Sequence, residues 1–356
     1  MRITLIVANL KGGGVQRGIC NLAITCLKQG EDVRVVSLTD LDDGHLDFGD
    51  VPVEVLGRST VRSSLRNLAK IMKSATKEDV IITGQPHVNL AVLALKQVAR
   101  SKARVFVTEH NPIDISLNKK EKIIQNLKWW FYPKSDGIFC VGKAIEDSLR
   151  ERSDLQDHLI GTVHNPVFAP ELSSGVPDSD CEGYNVLCIG RLHPQKNFGL
   201  AIEAVGELQK RLPKVRITIV GEGPEHKYLE KLAERRLLAH SYEFTGFQRD
   251  VYGYLRRTDC LLMSSRWEGF GIVIIEALYA GKNVVSTPCP GPIEILDNGR
   301  FGAIAKATPK ALADALESKL LDPDQAEELR KRAIEVSDPV QVYNKYMALV
   351  NAAPVS

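Results

Sequence analysis

Short apolar runs alternate with amphipathic stretches along most of the chain. In the first half, Ile3–Ala8, Val33–Leu38, Val53–Leu56, Val80–Thr83, Arg104–Thr108 and Gly137–Val141 have the length and composition of strands. Helix-favouring sequence lies between most of them, at Gln16–Gln29, Val61–Thr76 and Asn89–Ala99. This β-α-β rhythm predicts a parallel sheet with helices on both faces. The rhythm stops at HNPVFAPELSSGVPDSDCEG, residues 164–183, whose proline, serine, glycine and acid read as a linker. It resumes with Asn185–Gly190, Arg216–Gly221, Cys260–Ser264 and Asn283–Thr287, each closed by glycine, serine or threonine. A last helical stretch, Pro339–Val350, has no strand after it. The expectation is two Rossmann-like α/β domains, 1–167 and 184–338, joined by a linker over 168–183. They would face one another across a cleft, with ligands at the carboxyl ends of the strands.

Composition adds bounds. The chain has 356 residues, about twice the ~150-residue prior for one domain. Its 44% apolar and 25% charged content is that of an ordinary soluble protein. A formal net charge of +2 gives no reason to expect nucleic acid as a partner. The seven cysteines, at 20, 26, 140, 181, 188, 260 and 289, contain no C-x-x-C pair. Such spacing suits neither a zinc site nor a small disulfide framework, and an odd count suits a reducing compartment. The opening MRITLIVANLKGGG reads as a first strand, and no run of about 18 apolar residues occurs. A cytoplasmic location is expected.

The densest chemistry lies in Ser265-Arg-Trp-Glu-Gly-Phe-Gly-Ile-Val-Ile-Ile-Glu-Ala277. Glu268 falls on a loop and Glu276 one turn inside the helix that follows. Gly269 and Gly271 let backbone N–H groups approach a ligand, and a helix N-terminus favours an anion. The two glutamates could each accept hydrogen bonds from hydroxyl groups, Glu276 from a diol. They would serve equally to cap and solvate a helix start. A second segment, Gly190-Arg-Leu-His-Pro-Gln-Lys-Asn197, follows the first strand of the second domain. Arg191 and Lys196 could both reach one pyrophosphate, or merely solvate a turn. A third, Asn9-Leu-Lys-Gly-Gly-Gly-Val-Gln-Arg-Gly18, is a glycine loop before a helix, suited to phosphate. It is not a Walker A loop, and Gly12, Gly14 and Gly18 miss the G-x-G-x-x-G spacing by one residue. With Asp40 near the second strand's end, it leaves a nicotinamide enzyme as an alternative for the first half.

Smaller pieces close other strands: Gly221-Glu222-Gly223-Pro224, and Thr245-Gly246-Phe247-Gln248-Arg249-Asp250-Val251, which could lie along a flat base. His110 ends a strand within Thr108-Glu-His-Asn-Pro112, with an ordinary pKa near neutrality. The Asp-x-Asp pairs at 40–42, 178–180 and 322–324 read as solvated turns, so no metal site is expected.

Together these segments resemble the retaining glycosyltransferases of family 4, which have the GT-B fold. Gly190–Asn197, Val220–Pro224, Thr245–Gly246 and Glu268–Glu276 come in the family's order and at familiar separations. The resemblance implies a nucleotide-sugar donor held by the second domain and an acceptor bound mainly by the first. It also implies a hexose or N-acetylhexosamine, carried by UDP by family frequency rather than GDP. The acceptor would be a glycan or lipid-linked sugar in cell-surface polysaccharide, lipopolysaccharide or glycolipid synthesis. By the same resemblance Glu276 would hold the ribose and Glu268 the transferred sugar. Gly190, Glu222, Phe247, Gly269, Phe270, Gly271 and Ile272 would line the donor site. Arg191 and Lys196 would neutralise the diphosphate without a metal, and no cofactor is implied. Gly13 and Gly14 would approach the phosphates, and His110 would touch the sugar from the acceptor side. The helix at 339–353 resembles the family's crossover, packing back on the first domain. One departure stands out: Val15-Gln16-Arg17 follows the glycine loop, where the family often has an acid before the arginine. An epimerase or hydrolase on the same fold, or a non-catalytic nucleotide-sugar-binding protein, remains the alternative.

Two basic stretches suggest a peripheral contact with an anionic membrane. Val61, Leu65, Leu68 and Met72 form one stripe, flanked by Arg62, Arg66, Lys70 and Lys73 and preceded by Arg58. Ile123, Leu127 and Trp130, beside Ile124 and Phe131, form another. Lys119, Lys120, Lys122 and Lys128 accompany that stripe, with Trp129 and Tyr132 as interfacial aromatics. Either stripe could instead face the domain's own core.

Overall fold

The computed structural model describes residues 1–39, 46–58, 61–111, 119–155, 158–169 and 183–353, without the side chains of 57, 58, 61, 119–122 and 153. Asp40, Asp42, Asp178, Asp180 and Cys181 lie outside the described residues. The chain divides into two compact units, Met1–Phe168 with Ser337–Ser356, and Ala169–Val336.

The first unit runs β1 (Arg2–Val7), α1 (Gly14–Lys28), β2 (Asp32–Thr39), β3 (Val53–Arg58), α2 (Val61–Ser74), β4 (Asp79–Thr83) and α3 (Pro86–Val98). It continues with β5 (Arg104–Glu109), α4 (Lys119–Phe131), β6 (Gly137–Cys140), α5 (Lys143–Arg150) and β7 (Ile160–Thr162). Its strands form a seven-stranded sheet ordered β3-β2-β1-β4-β5-β6-β7, every pair parallel. The inner strands are buried on both faces, which is why they read as continuous apolar runs. β7, only three residues long, was too short to stand out in the sequence pattern.

The second unit runs β8 (Tyr184–Ile189), α6 (Phe198–Gln209), β9 (Val215–Val220), α7 (His226–Arg236), β10 (Tyr242–Gly246), α8 (Val251–Arg256) and β11 (Cys260–Met263). Then follow α9 (Ile272–Tyr279), β12 (Asn283–Ser286), α10 (Pro290–Ile295), β13 (Ala303–Ile304), α11 (Pro309–Leu321) and α12 (Ala326–Ser337). Here six parallel strands are ordered β10-β9-β8-β11-β12-β13. The two edge strands escape the apolar pattern: β10 is half-exposed and β13 has two residues.

The final helix, α13 (Pro339–Ala352), returns to the first unit. Asp338 caps it by accepting from Gln341 N at 2.9 Å, and proline opens its first turn. Val342, Tyr346 and Val350, spaced four apart on one face, join the core around β1, β5 and α1. Tyr346 meets Phe139 edge-to-face with ring centroids 4.7 Å apart, and Tyr343 donates to Glu31 at 2.6 Å. Burial of each large side chain contributes roughly 1.5–3 kcal/mol, ample to hold one helix.

Candidate functional site

In each sheet the strand order reverses once, between β1 and β4 in the first unit and between β8 and β11 in the second. Loops leaving the two central strands in opposite directions open a crevice at their carboxyl ends, where such sheets bind ligands. Arg191, Lys196, Glu268 and Glu276 gather at the second of these places and the glycine loop at the first, while His110, Glu222 and Phe247 follow the neighbouring strands β5, β9 and β10.

In the second unit, the loop after β8 is stitched to the loop after β11. Ser264 Oγ donates to Lys196 O at 2.9 Å, Arg266 N to Gln195 O at 2.8 Å, and Gln195 Nε2 to Trp267 O at 3.1 Å. These bonds bring Lys196 against Glu268, 72 positions away, in a direct ion pair. The two side chains are 21% and 15% exposed, so the pair is shielded yet reachable. Arg191 on the same loop is exposed and has no ion-pair partner among the described residues. Gly271 caps α9 at φ +101°, a conformation that favours glycine, and makes no side-chain cap. The first turn of α9 carries no acid, so the positive end of its dipole faces the loop that bears Glu268. Glu276 sits one turn in, 1% exposed, which overturns its reading as a solvated helix-start residue. Gly269, Phe270 and Ile272 are buried beside it.

The neighbouring loops interlock. Gly221 is at φ +141°, and a Cβ there would stand 1.9 Å from Gly190 O, so the loop after β9 can pass the loop after β8 only as glycine. Glu222, exposed, accepts from Phe247 N at 3.4 Å and ties the end of β9 to the end of β10. Phe247 is 38% exposed and offers a flat apolar face. Ser265 went unremarked among the sequence candidates. Its hydroxyl is buried without a hydrogen-bond partner among the described residues, three residues before Glu268, and position in the motif was its only signal.

In the first unit, Gly13 is the N-cap of α1, and Gly14 has open space where a Cβ would stand. Gln85 Oε1, from the loop after β4, accepts from Ala8 N at 2.7 Å and joins the two crevice loops. Gln16 donates to Asn9 Oδ1 at 3.1 Å across the glycine loop. Gly18 is a packing glycine: a Cβ there would lie 2.2 Å from Asn165 Oδ1. His110 follows β5, and burial pushes its pKa down to about 4, a correction to the near-neutral value expected for a strand-end histidine. Neither is it isolated, for Thr108 Oγ1 lies 2.8 Å from its Nε2.

Other expectations change. Leu68 and Met72 of the α2 stripe are wholly buried, so that stripe faces the domain's own core. Lys128 is an internal cation, 2.8 Å from buried Glu109, and Tyr132 is buried with its hydroxyl on the same carboxylate. Trp129 stacks under Arg152, 3.9 Å from the ring centroid. The side chains of Arg58, Val61, Lys119, Lys120 and Lys122 lie outside the described residues. Ile123, Leu127 and Trp130 are 61%, 42% and 65% exposed, an apolar row on one face of α4. Asp324 is no solvated turn residue: Lys319 pairs with it at 2.5 Å. The six cysteines among the described residues are free and buried. No described helix is long and apolar enough to cross a membrane.

Residues 12–168 match the family model described as Glycosyltransferase Family 4, and 176–336 match Glycosyl transferases group 1. The chain is 24% identical over 324 residues to the phosphatidylinositol N-acetylglucosaminyltransferase gpi3 subunit of Schizosaccharomyces pombe, covering 87% of this chain and 70% of that protein. It is 24% identical over 301 residues to the amylovoran biosynthesis glycosyltransferase AmsD of Erwinia amylovora, 83% and 84% of the two chains. Among solved structures, Anabaena HepE in complex with UDP-glucose matches at TM-score 0.80 and 18% identity, over 99% of this chain and 100% of that one. With one model on each unit, and this architecture, the chain belongs to the family 4 glycosyltransferases and has the GT-B fold.

Proposed function

We propose that this glycosyltransferase retains anomeric configuration and moves a hexose or N-acetylhexosamine from UDP to a glycan or lipid-linked acceptor, in cell-surface polysaccharide, lipopolysaccharide or glycolipid synthesis. The observation that carries the reading is the Lys196–Glu268 pair beside the uncapped start of α9. One crevice thus combines a cation and the N–H groups of a helix start for a diphosphate with carboxylates for hydroxyl groups. Glu276 holds the ribose, Glu268 the sugar, and Phe247 with Glu222 supports the base. Lys196 and Arg191 take up the charge that grows on the diphosphate as the glycosidic bond breaks, with no metal needed. The departing phosphate accepts the acceptor's proton on the same face, so the protein's contribution is positioning and charge stabilisation. Names among the relatives point the same way: one transfers N-acetylglucosamine to phosphatidylinositol, one builds amylovoran, and one structure holds UDP-glucose.

Gly13 and Gly14 are assigned to the donor phosphates and His110 to the transferred sugar. The membrane reading now rests on α4 alone. Its exposed Ile123, Leu127 and Trp130, with Lys134 Nζ 3.8 Å from the Trp130 ring centroid, suit an anionic lipid surface. A thermal-shift panel of nucleotide sugars tests the donor, since a ligand at 100 times its Kd adds about 2.7 kcal/mol of stability. Donor turnover with and without lipid-linked acceptors then tests transfer, which should accelerate sharply with the acceptor. Stabilisation by no nucleoside diphosphate sugar would contradict the proposal.

A further inference from the structure

Thr108, near the end of β5, is 1% exposed, and its hydroxyl has two neighbours. Oγ1 lies 2.7 Å from the carbonyl oxygen of Thr83 and 2.8 Å from His110 Nε2. A hydroxyl has one hydrogen to give, and a carbonyl oxygen has none. Two oxygens this close repel unless a hydrogen lies between them, so the Thr108 hydrogen points at Thr83. Only a lone pair of Oγ1 is left for His110. The hydrogen in the second contact must therefore belong to the imidazole.

We propose that Thr108 is a positioning residue that fixes His110 as the Nε2–H tautomer and leaves Nδ1 as a bare acceptor for a ligand hydroxyl.

The surroundings hold Thr108 to this role. Thr83 belongs to β4, paired in register with β5, and its own hydroxyl donates to Asn89 Oδ1 at 2.5 Å. Asn89 Nδ2 reaches Thr108 O at 3.1 Å and Tyr132 Oη at 3.0 Å. The Tyr132 hydroxyl donates to Glu109, which also accepts from Lys128 Nζ at 2.8 Å. Thr83, Asn89, Thr108, Glu109, Lys128 and Tyr132 are all buried. A buried network with its partners in place resists rearrangement, because moving one member strands another. Nδ1 of His110 has no hydrogen-bond partner among the described residues. Burial, which pushes this imidazole down to about 4, keeps it neutral at pH 7, as a bare Nδ1 requires. Such a ring can receive a hydrogen bond from a sugar hydroxyl through Nδ1 but cannot donate one there to a phosphate oxygen. That the ligand is a sugar rests on the proposed function; the tautomer does not.

The full chain labelled with ¹⁵N-histidine allows a direct test. Two-bond correlations identify which ring nitrogen carries the proton, one-bond correlations show whether that proton is protected, and His110→Gln assigns the signal among the eight histidines. At pH 7.5 the wild type should show a protected proton on Nε2 and an unprotonated Nδ1. Thr108→Ser should keep that pattern. Thr108→Val, close in shape but lacking the hydroxyl, should lose the protected signal and average between tautomers. Turnover should fall by up to about tenfold in Thr108→Val, the worth of one ordinary hydrogen bond, and recover in Thr108→Ser. A proton on Nδ1 in the wild type, or an unchanged protected Nε2–H in Thr108→Val, would overturn the proposal. No turnover by any variant, with the expected ring signals intact, would instead contradict the donor assignment and leave the tautomer supported.

Discussion

The two strand-order reversals occupy equivalent places in two sheets of the same kind, yet their side chains differ. At the second unit's reversal, Lys196 and Glu268 meet as charges, Arg191 stands exposed, and a helix start carries no acid in its first turn. At the first unit's reversal the glycine loop carries Lys11 and Arg17, but its bonded groups are neutral: Gly13 and Gly14 and the amides of Asn9, Gln16 and Gln85; the imidazole of His110, whose pKa lies near 4, follows the next strand, β5. Buried charge is present there too, in Lys128 and Glu109, but it is spent on the internal frame. The fold determines where a crevice lies, whereas side chains determine what enters it. Charge suits the diphosphate side of the reaction. A neutral imidazole suits a sugar hydroxyl group.

The largest expected effect follows from the charged side. Lys196→Ala should lower kcat by about 10²–10³, since it removes charge stabilisation that grows as the bond breaks. Steady-state kinetics checks this; near-wild-type kcat together with a new metal requirement would count against the metal-free account. Glu276→Ala should raise KM for the donor more than it lowers kcat, because ribose contacts persist from ground to transition state. An unchanged KM would remove Glu276 from the ribose.

The neutral imidazole predicts a smaller, pH-dependent effect. The ordinary histidine value is 6.5 and that of His110 is about 4, so between them the unfolded chain binds a proton that the folded chain does not. The corresponding stability is present in full above pH about 6.5 and is lost as pH falls toward about 4. Urea unfolding at pH 7.5 and 5 should therefore differ less in His110→Gln than in the wild type. His87 and His158, also lowered by burial, preserve part of the slope. An undiminished difference would show that His110 titrates normally.

The smallest effect concerns α4. Replacing Ile123, Leu127 and Trp130 by serine should reduce flotation with anionic vesicles, and high salt should release the wild type. Neutralising Arg62, Arg66 and Lys70 should weaken binding less, since α2 turns its apolar stripe inward. Equal recovery of the wild type with neutral and anionic vesicles would remove the membrane from the account.

The second unit's crevice was the more legible of the two in the sequence. Its residues lie in two short segments, each directly after a buried strand whose apolar run is plain. What spacing did not reveal was the contact of Lys196 with Glu268, because it depends on hydrogen bonds between loops 72 positions apart. The first unit was legible as alternating strands and helices, but not in its polar interior. Lys128 and Tyr132 lie within a basic, aromatic helix and read as surface residues until β5 supplies Glu109. The α2 and α4 stripes look alike in sequence. Only packing shows that Leu68 and Met72 turn inward while Leu127 and Trp130 stay exposed. The edge strands β10 and β13 were missed or unbounded because half-exposed or very short strands leave no apolar run.

The assignment of the diphosphate to Lys196, with His110 left to the sugar, is tested most directly by calorimetric titration of UDP into the wild type, Lys196→Ala and His110→Gln. Lys196→Ala should weaken UDP binding by about tenfold or more, the cost of losing one charge-assisted hydrogen bond. His110→Gln should bind UDP as the wild type does. Unchanged affinity in Lys196→Ala, with a loss in His110→Gln, would contradict the account.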